Sequence, residues 1–351
     1  MIEVHAFDGA DQRVLPINDK DSGLKGYIVV DSTVLGPGMG GCRFWHYSED
    51  GAALHDAQRL ARGMSYKNAM ADLPFGGGKT VLCKPTGTFD REAFFHALGR
   101  AVNEFGGDYV TAEDVGTTEA DMRTARSVTP HVFGLPAEQG RAGGNPSPWT
   151  ALGVFKAIEA VCERFDKRLN TMTVAVQGVG SVGGSLCDYL LEAGARLVVS
   201  DINPAAVERF AGKASVQIID NAVIHRAECD VFSPCALGAV INPRVIDELQ
   251  CSWIAGAANN QLATLQDGDA LAKRGILYVP DYVANAGGVI NVAAESLGYD
   301  DDWVSERVDA IGERVNRVLD QADELGIAPA RAADELARAL ITRGASMPVG
   351  A

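Results

Sequence analysis

The chain has 351 residues, with 46 acidic side chains against 31 Lys and Arg and a net charge of −15; it is long enough for two hydrophobic cores and carries the wrong sign for phosphate backbones or anionic membranes. It holds no apolar tract long enough to cross a bilayer, and its start, Met1-Ile2-Glu3-Val4-His5-Ala6, has neither the basic nor the apolar region of a signal peptide, so a cytoplasmic globular protein is expected. Seven cysteines without a C-x-x-C and six scattered histidines support neither a disulfide framework nor a metal site.

In the first 135 residues, apolar runs at 26–31, 41–45, 80–82 and 109–112 read as strands among helical patterns, which makes an α/β domain. On the helix expected over 53–70, Leu60, Met64 and Lys67 recur at spacings of four and three, setting an ammonium on an apolar stripe. Either Lys67 snorkels to water or it meets an anionic ligand. Pro74-Phe75-Gly76-Gly77-Gly78-Lys79-Thr80 ends like a phosphate loop, but Leu73 stands where the first glycine belongs, and Thr80-Val81-Leu82 reads as a strand where a helix should begin. A nucleoside triphosphatase is therefore rejected. What is left is a lysine on a glycine turn, where desolvation and a neighbouring cation such as Lys67 would favour the neutral amine. Thr111-Ala112-Glu113-Asp114-Val115-Gly116-Thr117-Thr118 puts Asp114 at a strand-to-helix turn, with Thr118 as the helix cap and Asp121 three residues on. An aspartate at such a turn either ties its own backbone or does chemistry.

Residues 138–146 are glycine-rich and polar, and a helical pattern follows from Thr150, so the junction of an N-terminal domain, 1–140, with a second domain, 141–324, is expected there with a cleft beside it. Beyond it, short apolar runs at 173–177, 197–200, 216–219, 230–232, 253–255 and 276–279 alternate with helices, the pattern of a parallel sheet buried on both faces. Gly178-Val179-Gly180-Ser181-Val182-Gly183 follows the first run and opens a helix, the context in which G-x-G-x-x-G marks a dinucleotide site. The first glycine allows the tight turn, the second lets backbone approach a pyrophosphate, and the third lets helix and strand pack closely. Asp201 ends the second run, where its carboxylate would accept from ribose hydroxyls and repel a 2′-phosphate; Ile202-Asn203-Pro204 follows it without an arginine, so NAD is expected over NADP. Val304, Val308, Ile311, Val315 and Leu319 read as one amphipathic helix, followed by an Ala-rich helix over about 325–351 that is expected to pack back on the N-terminal domain. The fold class is α/β: an N-terminal α/β catalytic domain plus a Rossmann-type doubly wound NAD-binding domain.

Six further segments carry a resemblance. They are Met39-Gly40-Gly41-Cys42-Arg43, Met64-Ser65-Tyr66-Lys67-Asn68-Ala69, Gly76-Gly77-Gly78-Lys79, the Thr111–Thr118 run, Ile254-Ala255-Gly256-Ala257-Ala258-Asn259-Asn260-Gln261-Leu262 and Asn285-Ala286-Gly287-Gly288-Val289-Ile290-Asn291-Val292. In this order, the chain resembles the glutamate, leucine, phenylalanine and valine dehydrogenase family over nearly its full length, its leucine dehydrogenases most and its phenylalanine dehydrogenases next. The resemblance implies that Lys67 holds the substrate carboxylate, Lys79 is the catalytic base and Asp114 exchanges protons with the amino group. It implies a substrate site of Met39, Gly40, Gly41, Ala112, Asn259, Val289 and Val292. Arg43, Thr150, Val179, Ser181, Val182, Ile202, Ala236, Leu237, Ala258, Asn259 and Asn260 would join the three glycines and Asp201 along NAD. Trp149 is a departure, since leucine dehydrogenases tend to carry a smaller residue there.

The implied reaction interconverts an aliphatic L-amino acid with its 2-oxo acid and ammonium, in a homo-oligomer built through the N-terminal domain. After hydride leaves the α-carbon, neutral Lys79 would activate water, and Asp114 would carry the proton on nitrogen while the domains close around them. Met39 stands where a glutamate enzyme has a lysine, and Ala112 and Val292 stand where phenylalanine enzymes tend to have glycine and leucine, which favours leucine, valine or isoleucine. The alternatives are a phenylalanine dehydrogenase, a 2-hydroxy-acid dehydrogenase and a non-catalytic NAD-binding sensor. The retained Lys67, Lys79 and Asp114 argue against the sensor. The hydroxy-acid enzyme would use a histidine and an arginine clamp that the cofactor-side strand ends lack.

Overall fold

The computed structural model describes every residue except 8, 50, 138 and 347–351, so residue 138 of the expected junction and the end of the expected C-terminal helix lie outside it. The chain forms two compact units. The first takes Met1–Asn145, Val292–Asp301 and the residues from Ala337 on, and the second takes Pro146–Asn291 and Asp302–Leu336. One junction at 140 and a second domain unbroken to 324 therefore differ from the division found, because the helices Gly287–Leu297 and Pro329–Ser346 are each shared between the units.

In the first unit, strands β1 (Glu3–Phe7), β2 (Ala10–Asn18), β3 (Lys25–Ser32), β4 (Gly38–Met39), β5 (Cys42–Trp45), β6 (Gly76–Cys83) and β7 (Tyr109–Val110) make one sheet. Its order is β1-β2-β3-β6-β4-β7, with β5 also pairing β6. Neighbours from β1 through β3 to β6 are antiparallel, whereas β4 and β5 run parallel to β6. Alternation along the strands sorts the core into two layers. Val29 and Val81 join Ala57, Leu60 and Ala61 of helix α1 (Ala52–Met70) on one face. On the other, Ile28, Val30 and Leu82 join Phe94, Phe95 and Leu98 of α2 (Arg91–Asn103) and Met122 of α3 (Glu119–Arg126). Residues 77, 79 and 81 of β6 thus face α1.

Gly76–Gly78 do not form the expected turn; they are the first three residues of β6. A Cβ on Gly76 would lie 1.8 Å from Ser32 O, one on Gly77 2.2 Å from Ser65 N, and one on Gly78 2.6 Å from the Tyr109 ring. The glycines are there because helix and neighbouring strands close tightly on this segment, with Asn68 Nδ2 of α1 donating to Gly76 O at 2.6 Å. Strands β1, β2 and β4 are additions to the elements read from sequence.

The second unit opens with α4 (Ser147–Arg164) and holds β8 (Thr173–Gln177), α5 (Ser181–Glu192), β9 (Arg196–Ser200), β10 (Val216–Ile218), β11 (Val231–Pro234), β12 (Trp253–Ile254) and β13 (Leu277–Tyr278). The sheet runs β10-β9-β8-β11-β12-β13, parallel throughout. Counted within the unit this is the order 3-2-1-4-5-6 of a doubly wound dinucleotide fold, whose switch point falls between β8 and β11. The helix read as continuous after Asp301 is two, Asp301–Asp309 and Ile311–Leu325, jointed at Ala310, whose ψ of −3° tightens the turn. The buried Arg314 donates to Arg307 O at 2.7 Å there, satisfying a carbonyl that the interruption frees. Among the described residues no helix is long and apolar enough to cross a membrane, and no cluster of three metal-ligating side chains occurs.

Candidate active site

In the first unit, β5, β6 and the loop after β7 bring Arg43, Lys79 and Asp114 together on the face of the sheet that α1 covers. Lys79 is 6 % exposed and its Nζ donates to Asp114 Oδ2 at 2.5 Å. Arg43 Nε stands 3.8 Å from the same oxygen, and Arg43 Nη1 donates to Asp56 Oδ2 of α1 at 2.9 Å. Tyr47 Oη donates to that Asp56 oxygen at 2.6 Å, while Arg59 holds the other at 3.1 Å. Burial raises the Asp114 pKa, but the charges of Lys79 and then Arg43 outweigh it and hold the carboxyl below its ordinary range. Lys79 thus has an anion as its hydrogen-bonded partner.

The backbone explains how Asp114 gets there. Gly41 leaves the room it occupies, since a Cβ on Gly41 would sit 2.7 Å from the Asp114 Cβ, and Gly116, at φ +84°, passes so near Phe44 O that a Cβ would stand 2.0 Å away. Thr117 Oγ1 accepts from Asp114 N at 3.0 Å and lies 3.1 Å from Cys42 O, tying the turn to β5. Thr118 and Asp121 form the expected capping box of α3. The turn is therefore held by Thr117 and Thr118, while the Asp114 carboxylate takes Lys79 and the backbone N–H of Val115. Lys67 is half-buried in the last turn of α1. Met39 is buried on β4, with Gly40 after it and Ala112 beyond β7; Val292 also falls in this unit, and Val289 in the second.

In the second unit the three glycines of the 178–183 loop have different surroundings. Gly178, at φ +90°, follows β8, and a Cβ there would lie 2.7 Å from the Ala236 Cβ just past β11, so the loop stands at the switch point. A Cβ on Gly183 would meet Gly178 O at 1.9 Å; one on Gly180 would meet nothing within 4 Å. Only the middle glycine faces open space, where a pyrophosphate would approach at the start of α5, beside Val179, Ser181 and Val182. Asp201 Oδ2 accepts from Val179 N and its Oδ1 from Asn203 N, both at 2.8 Å. Ile202 and Leu237 are exposed, as is Ala236. Past β12, Ala258 is buried, Asn260 is left-handed at φ +52°, and Asn259 Oδ1 accepts from Asn285 Nδ2 at 2.9 Å, which leaves the Asn259 amide donors for a ligand. Thr150 Oγ1 donates to Pro146 O at 3.0 Å on α4, close against Gly288. These residues fit a dinucleotide.

Residues 11–131 match the family model described as Glu/Leu/Phe/Val dehydrogenase, dimerisation domain, and residues 200–337 match Glutamate/Leucine/Phenylalanine/Valine dehydrogenase. The chain belongs to this family. It is similar to a leucine dehydrogenase of Thermoactinomyces intermedius, 45% identical over 93% of this chain and 89% of that one, and to a phenylalanine dehydrogenase of Bacillus thermotolerans, 41% identical over 93% and 87%. The crystal structure of L-tryptophan dehydrogenase from Nostoc punctiforme superposes with a TM-score of 0.81 at 40% identity, covering 95% of this chain and 96% of that one. As a Glu/Leu/Phe/Val dehydrogenase the chain is an amino-acid dehydrogenase, an oxidoreductase of a family that uses a nicotinamide cofactor. Asp56, Tyr47, Thr117 and Asn285 are supporting residues that the sequence reading did not single out. Thr117 and Asn285 stand in two of the segments that carry the resemblance, whereas nothing in the sequence joins Asp56 and Tyr47 to Arg43.

Proposed function

We propose that this dehydrogenase oxidises a medium-sized aliphatic L-amino acid with NAD to the 2-oxo acid and ammonium, and runs the reductive amination in reverse. The observation that carries this reading is the contact at 2.5 Å between buried Lys79 and half-buried Asp114, a base and a proton carrier. Bound NAD supplies the hydride acceptor, held by the 178–183 loop, Asp201, Thr150 and Asn259. Lys67 takes the substrate carboxylate and fixes the α-carbon. Lys79, having given up a proton, draws one from the water that attacks the substrate iminium, and Asp114 passes protons to and from the substrate nitrogen until ammonia leaves. We assign the protein to the cytoplasm as a homo-oligomer assembled through its first unit.

Asp201→Ala is expected to weaken NAD and to narrow the preference against NADP, because it removes the anion facing a 2′-phosphate. The same change releases Val179 N, so affinity alone does not report the ribose contact. The check is the NAD-to-NADP ratio of kcat/KM; an unchanged ratio with weaker binding of both would leave Asp201 a loop anchor only.

For the amino acid, Met39, Ala112 and Val292 offer apolar surface and no cation to a substrate side chain. Burying a glutamate carboxylate without a partner would cost several kcal/mol, about the penalty of an unpaired buried charge. One methylene is worth only about 1–3 kcal/mol, so leucine, isoleucine and valine should overlap. The measurement is kcat/KM with NAD across leucine, isoleucine, valine, phenylalanine, tryptophan and glutamate. An aromatic amino acid preferred tenfold would overturn the aliphatic reading and keep the reaction class.

A further inference from the structure

The position of Arg43 has a chemical use besides the NAD contact that resemblance gives it. We propose that Arg43 is a positioning residue for Asp114: anchored by Asp56, it is the permanent cation that keeps the Asp114 carboxylate ionised when Lys79 gives up its proton. The inference rests on the reading of Lys79 as the base.

The geometry separates charge from hydrogen bonding. At 3.8 Å, Arg43 Nε is too far from Asp114 Oδ2 to hydrogen-bond, yet near enough for its charge to act in a half-dry site. Asp56 sets that distance, because Nη1 is bound to its carboxylate at 2.9 Å and Asp56 is itself fixed by Tyr47 and Arg59. Without this anchor a guanidinium would fork onto Asp114 and occupy the oxygens that the substrate nitrogen needs. Held back, it leaves them open.

The need for such a cation follows from the surroundings. Beside the Val115 N–H, Lys79 on β6 is the charged hydrogen-bonded partner of Asp114, but the proposed reaction makes it neutral in every turnover. Glu113 beside Asp114 and Asp121 on α3 add negative charge; burial first, then Glu119, Asp121 and Asp114, push the Glu113 pKa up. Cys42 on β5 and Tyr109 on β7 are buried and kept neutral, each raised chiefly by desolvation. On α1, Asp56 is shared between Arg43 and Arg59, and Lys67 adds a further positive charge on the same helix. A half-buried carboxylate in this company takes up a proton more readily once Lys79 loses its own, unless another charge holds it ionised. A guanidinium does not deprotonate, so Arg43 keeps its charge through every step of the proposed reaction.

The test combines an infrared pH titration of the ligand-free protein with the pH profile of kcat for ammonium-dependent NADH oxidation. Asp114→Asn identifies the protonated-carboxyl band of Asp114. In R43Q, and in R43M should the amide not be accommodated, that band should appear at a pH about one unit or more higher than in the wild type. The acid limb of kcat should move with it, and R43K should return most of the shift. A band and limb that stay in place in a folded R43Q or R43M, with weaker NAD binding in their stead, would overturn the proposal. A wild-type protein without ammonium-dependent turnover would fail the proposed function, whereas the infrared arm judges the hold of Arg43 on Asp114 by itself.

Discussion

Lys79→Ala should lower kcat for ammonium-dependent turnover by about 10²–10⁴-fold, the usual worth of a positioned acid–base group, while NAD affinity stays within a factor of about two. The separation is expected because Lys79 and the dinucleotide loop belong to different units of the fold. The substitution also strips half-buried Asp114 of its hydrogen-bonded cation, so a stability loss must be distinguished from a loss of chemistry. Arg43 still faces Asp114, which limits that loss, and Lys79→Met, which fills the same volume without a charge, controls for the cavity. The informative measurement is kcat on protein whose thermal unfolding and circular dichroism show it to be folded. Turnover near the wild-type value in either variant would remove Lys79 from the mechanism.

The second unit was the more legible in the sequence, and the reason is physical. A parallel sheet buried on both faces writes each strand as a continuous apolar run, and 173–177 appears as β8 with the same bounds. The first unit writes its strands more faintly. β1 is an edge strand with largely polar or exposed residues, and β2 alternates only in its second half, so neither stood out. Gly76–Gly78 look like a turn because glycine is a poor strand former, and their strand state is imposed by Ser32, Ser65 and Tyr109, contacts that local sequence does not display. The same limit applies to the site. Lys67, Lys79 and Asp114 were singled out by their patterns, but the Arg43–Asp56–Tyr47 chain links a strand, a loop and a helix face that only the fold brings together.

The three glycines of the dinucleotide loop provide a test in which stability and binding should come apart. A methyl on Gly180 enters open space on a backbone at φ −67°, which any residue adopts, so Gly180→Ala should unfold at the wild-type temperature to within a few degrees. If the pyrophosphate lies against that backbone, the added methyl costs about 1–3 kcal/mol of overpacking, a loss of roughly fivefold to 150-fold in NAD affinity. Gly183→Ala should do the reverse. Its methyl would be driven to 1.9 Å from Gly178 O and 3.0 Å from the Cys235 Cβ, forcing α5 away from the end of β8. The expected cost is about 3 kcal/mol or more, which for a unit of this size lowers the melting temperature by roughly 6–12 °C. Paired thermal unfolding and NAD fluorescence titration of the two variants decide the matter. Should Gly180→Ala bind NAD as tightly as the wild type, the dinucleotide does not lie against this loop, and the G-x-G-x-x-G pattern here is a packing motif alone.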